Sequence, residues 1–128
     1  AVESAVPLRV VTSAGQSGPS AMWRFGAGGV VDRSEDQGRS WDRQQTGVDT
    51  ALIAASAPTS RVCWIVGARG IIVRSVDGRT WQRVASPTPT DIVSVRASSD
   101  THALITAADR TEYTTNDGGK SWRTSGRD

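Results

Sequence analysis

One short motif occurs three times in this chain, and its spacing is the strongest constraint on the fold. The pattern is Ser/Thr-x-Asp-x-Gly-x-Ser/Thr-Trp, and the middle copy lacks one residue between Asp and Gly. The closing residues of the copies, Trp41, Trp81 and Trp122, are 40 and 41 positions apart. A fixed period of that length is typical of stacked supersecondary units. We therefore expect a repeat protein, and we call the three copies the aspartate motifs.

Four positions of each aspartate motif are expected to be structural. The carboxylate and the first hydroxyl bond to turn amides, and Gly tolerates a left-handed backbone. Trp folds its ring under the turn and adds to the core. Each carboxylate lies on a different unit, so the motifs predict neither a catalytic pair nor a metal cluster. The structural residues are Ser34, Asp36, Gly38, Trp41, Ser75, Asp77, Gly78, Trp81, Thr115, Asp117, Gly119 and Trp122.

The repeat extends on the amino-terminal side of the motif. Residues 23–34 and 64–75 align without a gap at an offset of 41, with Trp, Gly-Ala, a second Gly, two aliphatic residues, Arg and Ser recurring. The third unit is more diverged, because Leu104 replaces Trp64 and Arg110 replaces Gly70. The turn at Arg110 is therefore expected to form in another way, without the glycine that the other two units have at this position. Every tryptophan has a repeat position, which indicates packing rather than an aromatic binding surface.

Short β-branched segments bounded by Gly, Pro, Ser, Asp and Asn predict strands throughout. In the first unit the strands are expected at 7–12, 22–26, 30–34 and 40–45, with a mobile Gly/Ser-rich loop at 13–20. In the second they are expected at 51–56, 62–67, 71–75 and 80–85. In the third they are expected at 91–97, 102–107, 111–115 and 121–124. Four strands in a repeat of about 40 residues predict an all-β, β-propeller-like fold of four-stranded antiparallel units.

Length and charge set further limits. The 128 residues predict a single repeat domain, residues 1–128, with units at about 7–48, 49–88 and 89–127. The only cysteine, Cys63, cannot form an intramolecular disulfide, and its apolar neighbours predict a buried, inert thiol. A net charge of +2 without a Lys/Arg run argues against nucleic-acid binding.

Targeting signals are not recognisable in this chain. No apolar stretch is long enough to cross a bilayer, and no signal peptide is recognisable, so we expect no direct membrane insertion by this segment. The first residue is Ala rather than Met. We therefore expect an excised domain or a mature fragment whose targeting segment lies elsewhere.

On these residues, the chain resembles the Asp-box (BNR) repeat class over residues 22–123. The second unit reads W-x-V-G-x-x-G-x-I-x-x-S followed by D-G-x-x-W. This sequence pattern is more specific than the Asp box alone. It resembles the photosystem II stability/assembly-factor family and its relatives in non-photosynthetic bacteria. The resemblance implies a β-propeller in an extracytoplasmic setting, periplasmic or at the cell surface, within a larger membrane-anchored or secreted protein. Asp boxes also occur in sialidases and glycan-binding propellers, so they specify fold better than function.

Propellers generally have roughly four to eight blades, whereas this chain supplies three repeats. Exposed edge strands on an open arc would be an aggregation hazard. Three ways of covering these edge strands remain open. A homodimer could pair its blade edges into a six-bladed ring, the three units could form one compact body, or sequence outside this chain could supply further blades.

The preferred function is a non-enzymatic protein-interaction module, because loops on a rigid β scaffold commonly recognise partners. Arg33 and Arg74 occupy equivalent third-strand positions, and Arg69 lies in an adjacent turn. Arginine binds carboxylates in a bidentate way, so these three residues are the candidate partner-binding residues for acidic peptide segments. The alternatives are a glycan-binding or sialidase-like hydrolase fragment and a structural spacer.

A catalytic role is not predicted for any residue. The Asp-box class includes sialidases, so the resemblance implies that their activity must be considered. Sialidase catalysis needs an arginine cluster, a tyrosine nucleophile with an acidic partner, and an aspartate acid. Tyr113 is the only tyrosine, and the adjacent Glu112 points to the opposite face of a strand. His102, the only histidine, lacks the neighbouring cysteines of a zinc site, and no nucleophile elbow accompanies the serines. We expect no catalytic residue, no metal and no cofactor.

Overall fold

A computed structural model gives the structure of the protein over residues 9–13 and 21–124, and its regular elements are almost all β-strands. Twelve described strands form three four-stranded antiparallel sheets, which we call blades 1, 2 and 3 in chain order. Blade 1 contains β1 (Arg9–Thr12), β2 (Met22–Phe25), β3 (Val31–Ser34) and β4 (Asp42–Gln44). Blade 2 contains β5 (Leu52–Ser56), β6 (Cys63–Gly67), β7 (Ile72–Ser75) and β8 (Gln82–Arg83). Blade 3 contains β9 (Ile92–Ala97), β10 (Ala103–Ala107), β11 (Glu112–Thr115) and β12 (Arg123–Thr124).

Each blade is a meander in which every strand pairs with the next one along the chain. This order confirms the predicted all-β, propeller-like architecture. The first three strands of each blade agree with their predicted bounds to within one residue wherever both ends are described. The predicted loop at 13–20 lies outside the described residues except for Ser13, and so do residues 7 and 8 of the first predicted strand.

The fourth strands are shorter than predicted. They span only two or three residues instead of the segments 40–45, 80–85 and 121–124. The reason lies in the residue before each closing tryptophan, because the amides of Ser40, Thr80 and Ser121 donate to aspartate oxygens of the motif. An amide bonded inside the turn is not available to the strand ladder, so the fourth strand begins after it.

The core consists of two apolar layers, one at each interface between neighbouring blades. The layer between blades 1 and 2 joins residues of both sheets, among them Trp23, Phe25, Val31, Cys63, Ile65 and Val73. The layer between blades 2 and 3 does the same with Trp64, Val66, Ile72, Ile92, Ala103 and Ile105. Neighbouring strand residues point to opposite faces, so β6 is buried on both sides. Residues 62–66 are therefore continuously apolar instead of alternating.

In blades 1 and 2, the segment that follows the fourth strand packs closely against the turn between the second and third strands. A Cβ atom on Gly29 would lie 2.1 Å from the Val48 carbonyl oxygen, and one on Gly70 would lie 2.0 Å from the Thr88 carbonyl oxygen. Only glycine fits at such a distance. Blade 3 has Arg110 at this position, in a left-handed conformation with φ of 74°. As expected, that turn is built differently.

The tryptophans occupy three kinds of position. Trp23 and Trp64 are fully buried, whereas Trp81 and Trp122 are half-buried and pack on the core layers. Trp41 is also half-buried but, contrary to the prediction, packs on neither layer; instead the Arg24 guanidinium lies over its ring, 4.3 Å from the centroid. The indole of Trp122 donates to the Ala85 carbonyl oxygen at 3.0 Å, so it reaches back to the preceding blade. Cys63 is buried as predicted, and burial raises the pKa of its thiol. The thiol is therefore protected from solvent and held protonated.

Candidate functional site

The aspartate motifs form hydrogen-bonded turns between the third and fourth strands. In the first copy, the Ser34 hydroxyl donates to Asp36 Oδ1 at 2.8 Å and accepts from the Gly38 amide at 2.8 Å. The Ser40 amide donates to Asp36 Oδ1 at 2.9 Å, and the Ser40 hydroxyl donates to Asp36 Oδ2 at 2.6 Å. Both carboxylate oxygens are therefore used within the turn.

The other two copies repeat this arrangement. The hydroxyl groups of Thr80 and Ser121 donate to Asp77 and Asp117 at 2.8 Å and 2.6 Å. Such bonds stabilise the charged carboxylate. The Ser40 hydroxyl is the largest cause that lowers the pKa of Asp36 to about 2. Backbone amides in the second copy and the Ser121 hydroxyl in the third hold the pKa values of Asp77 and Asp117 well below their usual range.

The residues weighed for catalysis do not converge. Tyr113 packs against the core layer between blades 2 and 3, and the adjacent Glu112 is exposed. His102 lies in an exposed loop, where Nδ1 is 2.9 Å from the Thr101 hydroxyl and 3.3 Å from the Ser99 hydroxyl. Over residues 9–13 and 21–124, no three His, Cys, Asp or Glu side chains are grouped so that they could hold a metal ion. Nor does this part of the chain contain a helix long and apolar enough to cross a membrane.

Arg33 extends from blade 1 to blade 2. Its guanidinium lies over the ring of Trp23, 5.3 Å from the centroid, and its side chain is only 10% exposed. Nη2 donates to the Ser60 carbonyl oxygen at 2.7 Å, and Nη1 donates to the Glu35 carboxylate. Gly78 of the second aspartate motif packs on the same guanidinium. Both terminal nitrogens of Arg33 are therefore bonded inside the molecule, whereas its buried Nε has no hydrogen-bond partner among the described residues.

Arg74 makes the corresponding contacts from blade 2 to blade 3. Its guanidinium lies 5.5 Å from the ring centroid of Trp64. Nη1 donates to the Asp100 carbonyl oxygen at 2.9 Å and to the Gly118 carbonyl oxygen at 3.0 Å. We call the pairs Trp23–Arg33 and Trp64–Arg74 the inter-blade locks. In each lock the two residues are directly opposed across neighbouring strands.

Arg69 lies apart from the other two predicted partner-binding residues. It is exposed in the turn that follows β6, has a φ of 60°, and donates its amide to Asp91 Oδ1 at 2.8 Å. That turn is at one end of β7, whereas Arg74 is near the other end of the strand. The three candidate partner-binding residues Arg33, Arg69 and Arg74 therefore do not share one face, and their role in binding stays a prediction.

A cleft of about 570 Å³ opens between blades 1 and 2 beside the aspartate motifs. An adjoining cleft of about 680 Å³ shares three of its lining residues, Arg33, Glu35 and Arg79. We call the two together the inter-blade cleft. Arg61 and Arg79 are exposed at its wall, and neither guanidinium is ion-paired with a described residue. Hydrogen bonding to Arg33 is the main cause that lowers the pKa of Glu35, and the nearby Arg79 adds to it.

Sequence reasoning missed Arg61 and Arg79 because they become neighbours of Arg33 only when blade 2 packs on blade 1. A local signal existed for Arg79 alone. A basic residue precedes the Ser/Thr-Trp pair in all three aspartate motifs, as Arg39, Arg79 and Lys120. All three are exposed. The recurrence indicates a solvent-facing position, but it does not indicate which copy borders a cleft.

Comparison with known proteins identifies the fold. The family model of the DUF6242 beta propeller domain matches residues 21–128. The structure described as "YCF48 bound to D1 peptide" has a TM-score of 0.74 at 19% identity, covering 94% of this chain and 43% of that one. YCF48 from Cyanidioschyzon merolae has a TM-score of 0.71 at 24% identity, covering 81% of this chain and 35% of that one. No curated protein sequence matches.

The two structural matches agree with the predicted resemblance at the level of the fold. At these identities the likeness establishes the fold. The chain spans less than half the length of either YCF48 chain, so only part of those molecules has a counterpart here.

Proposed function

Because the chain belongs to the DUF6242 beta propeller family, we propose that it is a non-enzymatic protein-interaction module whose partner binds in the inter-blade cleft. The observation that carries this proposal is the pair Arg61 and Arg79. Both guanidiniums border the cleft, are exposed, and are free of ion pairs with described residues. Guanidinium groups in this state can bind carboxylates in a bidentate way.

The partner chemistry follows from the charges of the cleft. Arg33 is engaged in its lock and with Glu35, and Asp77 is engaged in its own turn. Arg43, which also lines the cleft, is paired with Asp32, so Arg61 and Arg79 stand against the Asp42 carboxylate. The available charges are therefore mostly positive, which favours an acidic segment of a protein partner. The relative whose structure is described as bound to a D1 peptide supports peptide binding by this fold.

The proposal extends to the motif class and the setting. We assign the aspartate motifs to the Asp-box class, supported by the recurring carboxylate-to-hydroxyl bonds in all three turns. We also propose an extracytoplasmic location within a larger bacterial protein, supported by the sequence resemblance. Fractionation of cells that express the full-length protein tests the location, and recovery of the protein in the cytosol would contradict it.

Selection from a displayed library of random peptides tests the cleft. We expect enrichment of acidic peptides, and binding about tenfold weaker for Arg61→Glu combined with Arg79→Glu. The matched control combines Arg39→Glu with Arg83→Glu, which changes the net charge equally at exposed arginines outside the cleft. Equal loss in both double variants would show that binding depends on net charge, and no loss in either would remove the cleft as the site.

A further inference from the structure

The two inter-blade locks are completed in different ways. Arg74 Nη1 donates to the carbonyl oxygens of Asp100 and Gly118, which both belong to blade 3. Arg33 donates from Nη2 to one carbonyl oxygen of blade 2, and from Nη1 to the Glu35 carboxylate of its own blade. Blade 3 therefore supplies two backbone acceptors to its lock, whereas blade 2 supplies one.

The length of the second aspartate motif explains this difference. In the third copy Gly118 lies between the aspartate and the motif glycine, whereas in the second copy Gly78 follows Asp77 directly. Gly118 donates its amide to the Thr101 carbonyl oxygen of its own blade at 3.0 Å, and its carbonyl oxygen accepts from Arg74 of blade 2. The second copy has no residue that could take this place.

The place of the missing residue belongs to the inter-blade cleft. Gly118 has three neighbours whose equivalents all line the cleft, namely Arg33, Ser60 and Asp77. Glu35 lines it too, and its side chain is 65% exposed although its carboxylate is bonded to Arg33. Glu35 thus provides, from within the chain, the acceptor that a backbone carbonyl oxygen provides in the other lock.

The turn itself does not need a carboxylate at the place of Glu35. The equivalent residues are Val76 and Asn116, and the turns of both copies still make the carboxylate-to-hydroxyl bond of the motif. An ion pair with so exposed a carboxylate contributes little to stability. Another carboxylate can therefore replace Glu35 on Arg33 with little loss.

Arg33 is a better anchor for a carboxylate than an exposed arginine. Its guanidinium lies over the Trp23 ring and is bonded to the next blade, so its side chain is already ordered and only 10% exposed. Binding through it loses less side-chain entropy than binding through Arg61 or Arg79 alone. Hydrogen bonding to Arg33 and the charge of Arg79 both lower the pKa of Glu35, so a carboxylate in this position is attracted by two guanidiniums.

We propose that Glu35 is an internal competitor of the partner: it holds Arg33 in the unbound protein, and an acidic side chain of the bound protein segment displaces it. This role rests on the proposed function, because the segment is the acidic one that the inter-blade cleft is proposed to bind. Binding then exchanges one carboxylate for another on Arg33, while Arg61 and Arg79 hold neighbouring acidic residues of the segment.

Isothermal titration calorimetry with the blocked peptide Glu-Asp-Glu-Leu-Glu-Asp-Glu tests the exchange. Glu35→Gln keeps the size of the side chain and should bind the peptide about fivefold more tightly than the parent protein, because a neutral amide holds Arg33 less strongly. Asp42→Asn is the matched control, since it removes an equal charge from an exposed residue of the same cleft that is not ion-paired with Arg33. It should strengthen binding by less than about twofold. Equal gains in both variants would show an effect of net charge alone and would overturn the proposal.

Two further measurements examine Arg33 and Glu35 directly. In an Arg33→Met background, Glu35→Gln should strengthen binding no more than Asp42→Asn does, because the exchange has lost its anchor. In the parent protein at pH 7, the carbon-13 signal of the Glu35 carboxylate should move on peptide addition towards that of a solvated carboxylate. A signal that stays in place while the peptide saturates the protein would show that Glu35 keeps its contact, and would overturn the proposal even if the Arg33 variant does not fold.

The outcomes separate this role from the function on which it rests. If neither the parent protein nor Glu35→Gln binds the peptide at millimolar concentration, the acidic partner and the competitor role are both refuted. If binding is lost in Arg61→Glu combined with Arg79→Glu but is unchanged or weaker in Glu35→Gln, the cleft remains the binding site and only the competitor role is refuted.

Discussion

Arg74 provides the sharpest test of whether the repeated arginines are structural. Replacing it with Met keeps an unbranched apolar side chain over Trp64 but removes the charge and all donors. The carbonyl oxygens of Asp100 and Gly118 then lose the guanidinium that bonds them at 2.9 Å and 3.0 Å. If the lock joins blade 2 to blade 3, Arg74→Met should lower the free energy of unfolding.

The size of the effect follows from the contacts. A hydrogen bond from a charged donor contributes about 1.5–3 kcal/mol net, and the lower end applies here because the Asp100 side of the contact is open to solvent. A cation over a tryptophan ring adds roughly 0.5–1 kcal/mol. Met recovers part of the lost packing, and the replacement also removes Nε, a buried donor with no hydrogen-bond partner among the described residues, which offsets part of the loss. The two bonds share one nitrogen and are not additive, so we expect a net loss of about 1–2 kcal/mol.

Urea unfolding followed by tryptophan fluorescence measures this loss. Arg83→Met is the matched control, because Arg83 is an exposed arginine in the same blade, and its replacement should change stability by less than about 0.5 kcal/mol. A loss in Arg74→Met as small as in the control would refute the structural reading. Arg74 would then be available as a partner-binding residue.

Two further predictions concern the turns. The folded-state pKa of Asp36 is about 2, below its ordinary 3.8, so the stability that this carboxylate adds is present above about pH 4 and is lost as the pH falls towards 2. Urea midpoints measured across that range should fall, and should fall less in Asp36→Asn; a flat profile in the parent protein would contradict the assignment. Gly70→Ala should destabilise more than Gly28→Ala, since both glycines have a positive φ but only Gly70 has a carbonyl oxygen 2.0 Å from the added Cβ. Thermal unfolding compares the two variants, and equal melting temperatures would show that the close approach relaxes without cost.

The fold was largely predictable because its signals are local. An Asp and a Gly at fixed offsets determine a turn through bonds to the next few amides, as Asp77 and Gly78 do. Strand limits followed from those turns. The fourth strands were the exception, because the motif that marks the turn also takes up the amide with which the strand was expected to begin.

The roles of the arginines were not predictable in the same way. Arg33 and Arg74 recur in equivalent positions, and recurrence alone does not distinguish an inter-blade contact from a solvent-facing charge. The distinction depends on strand register, which places each arginine opposite a tryptophan. It also depends on the next blade, which supplies the carbonyl oxygens. Both are long-range features that a local pattern does not contain.

Divergence between the repeats identifies the surfaces better than their similarity does. Ile65 and Val73 of blade 2 are fully buried against blade 1, and blade 1 presents Arg24 and Asp32 at the equivalent positions of its outer face. Blade 3 also has polar residues on its outer face, except around Leu104. At the positions equivalent to Val66 and Ile72, which are fully buried against blade 3, blade 3 itself carries Thr106 and Glu112 on its outer face. The same repeat position is therefore apolar where two described blades meet and polar on the outer faces of blades 1 and 3, so packing against a neighbouring blade, and not the repeat itself, accounts for its residue type.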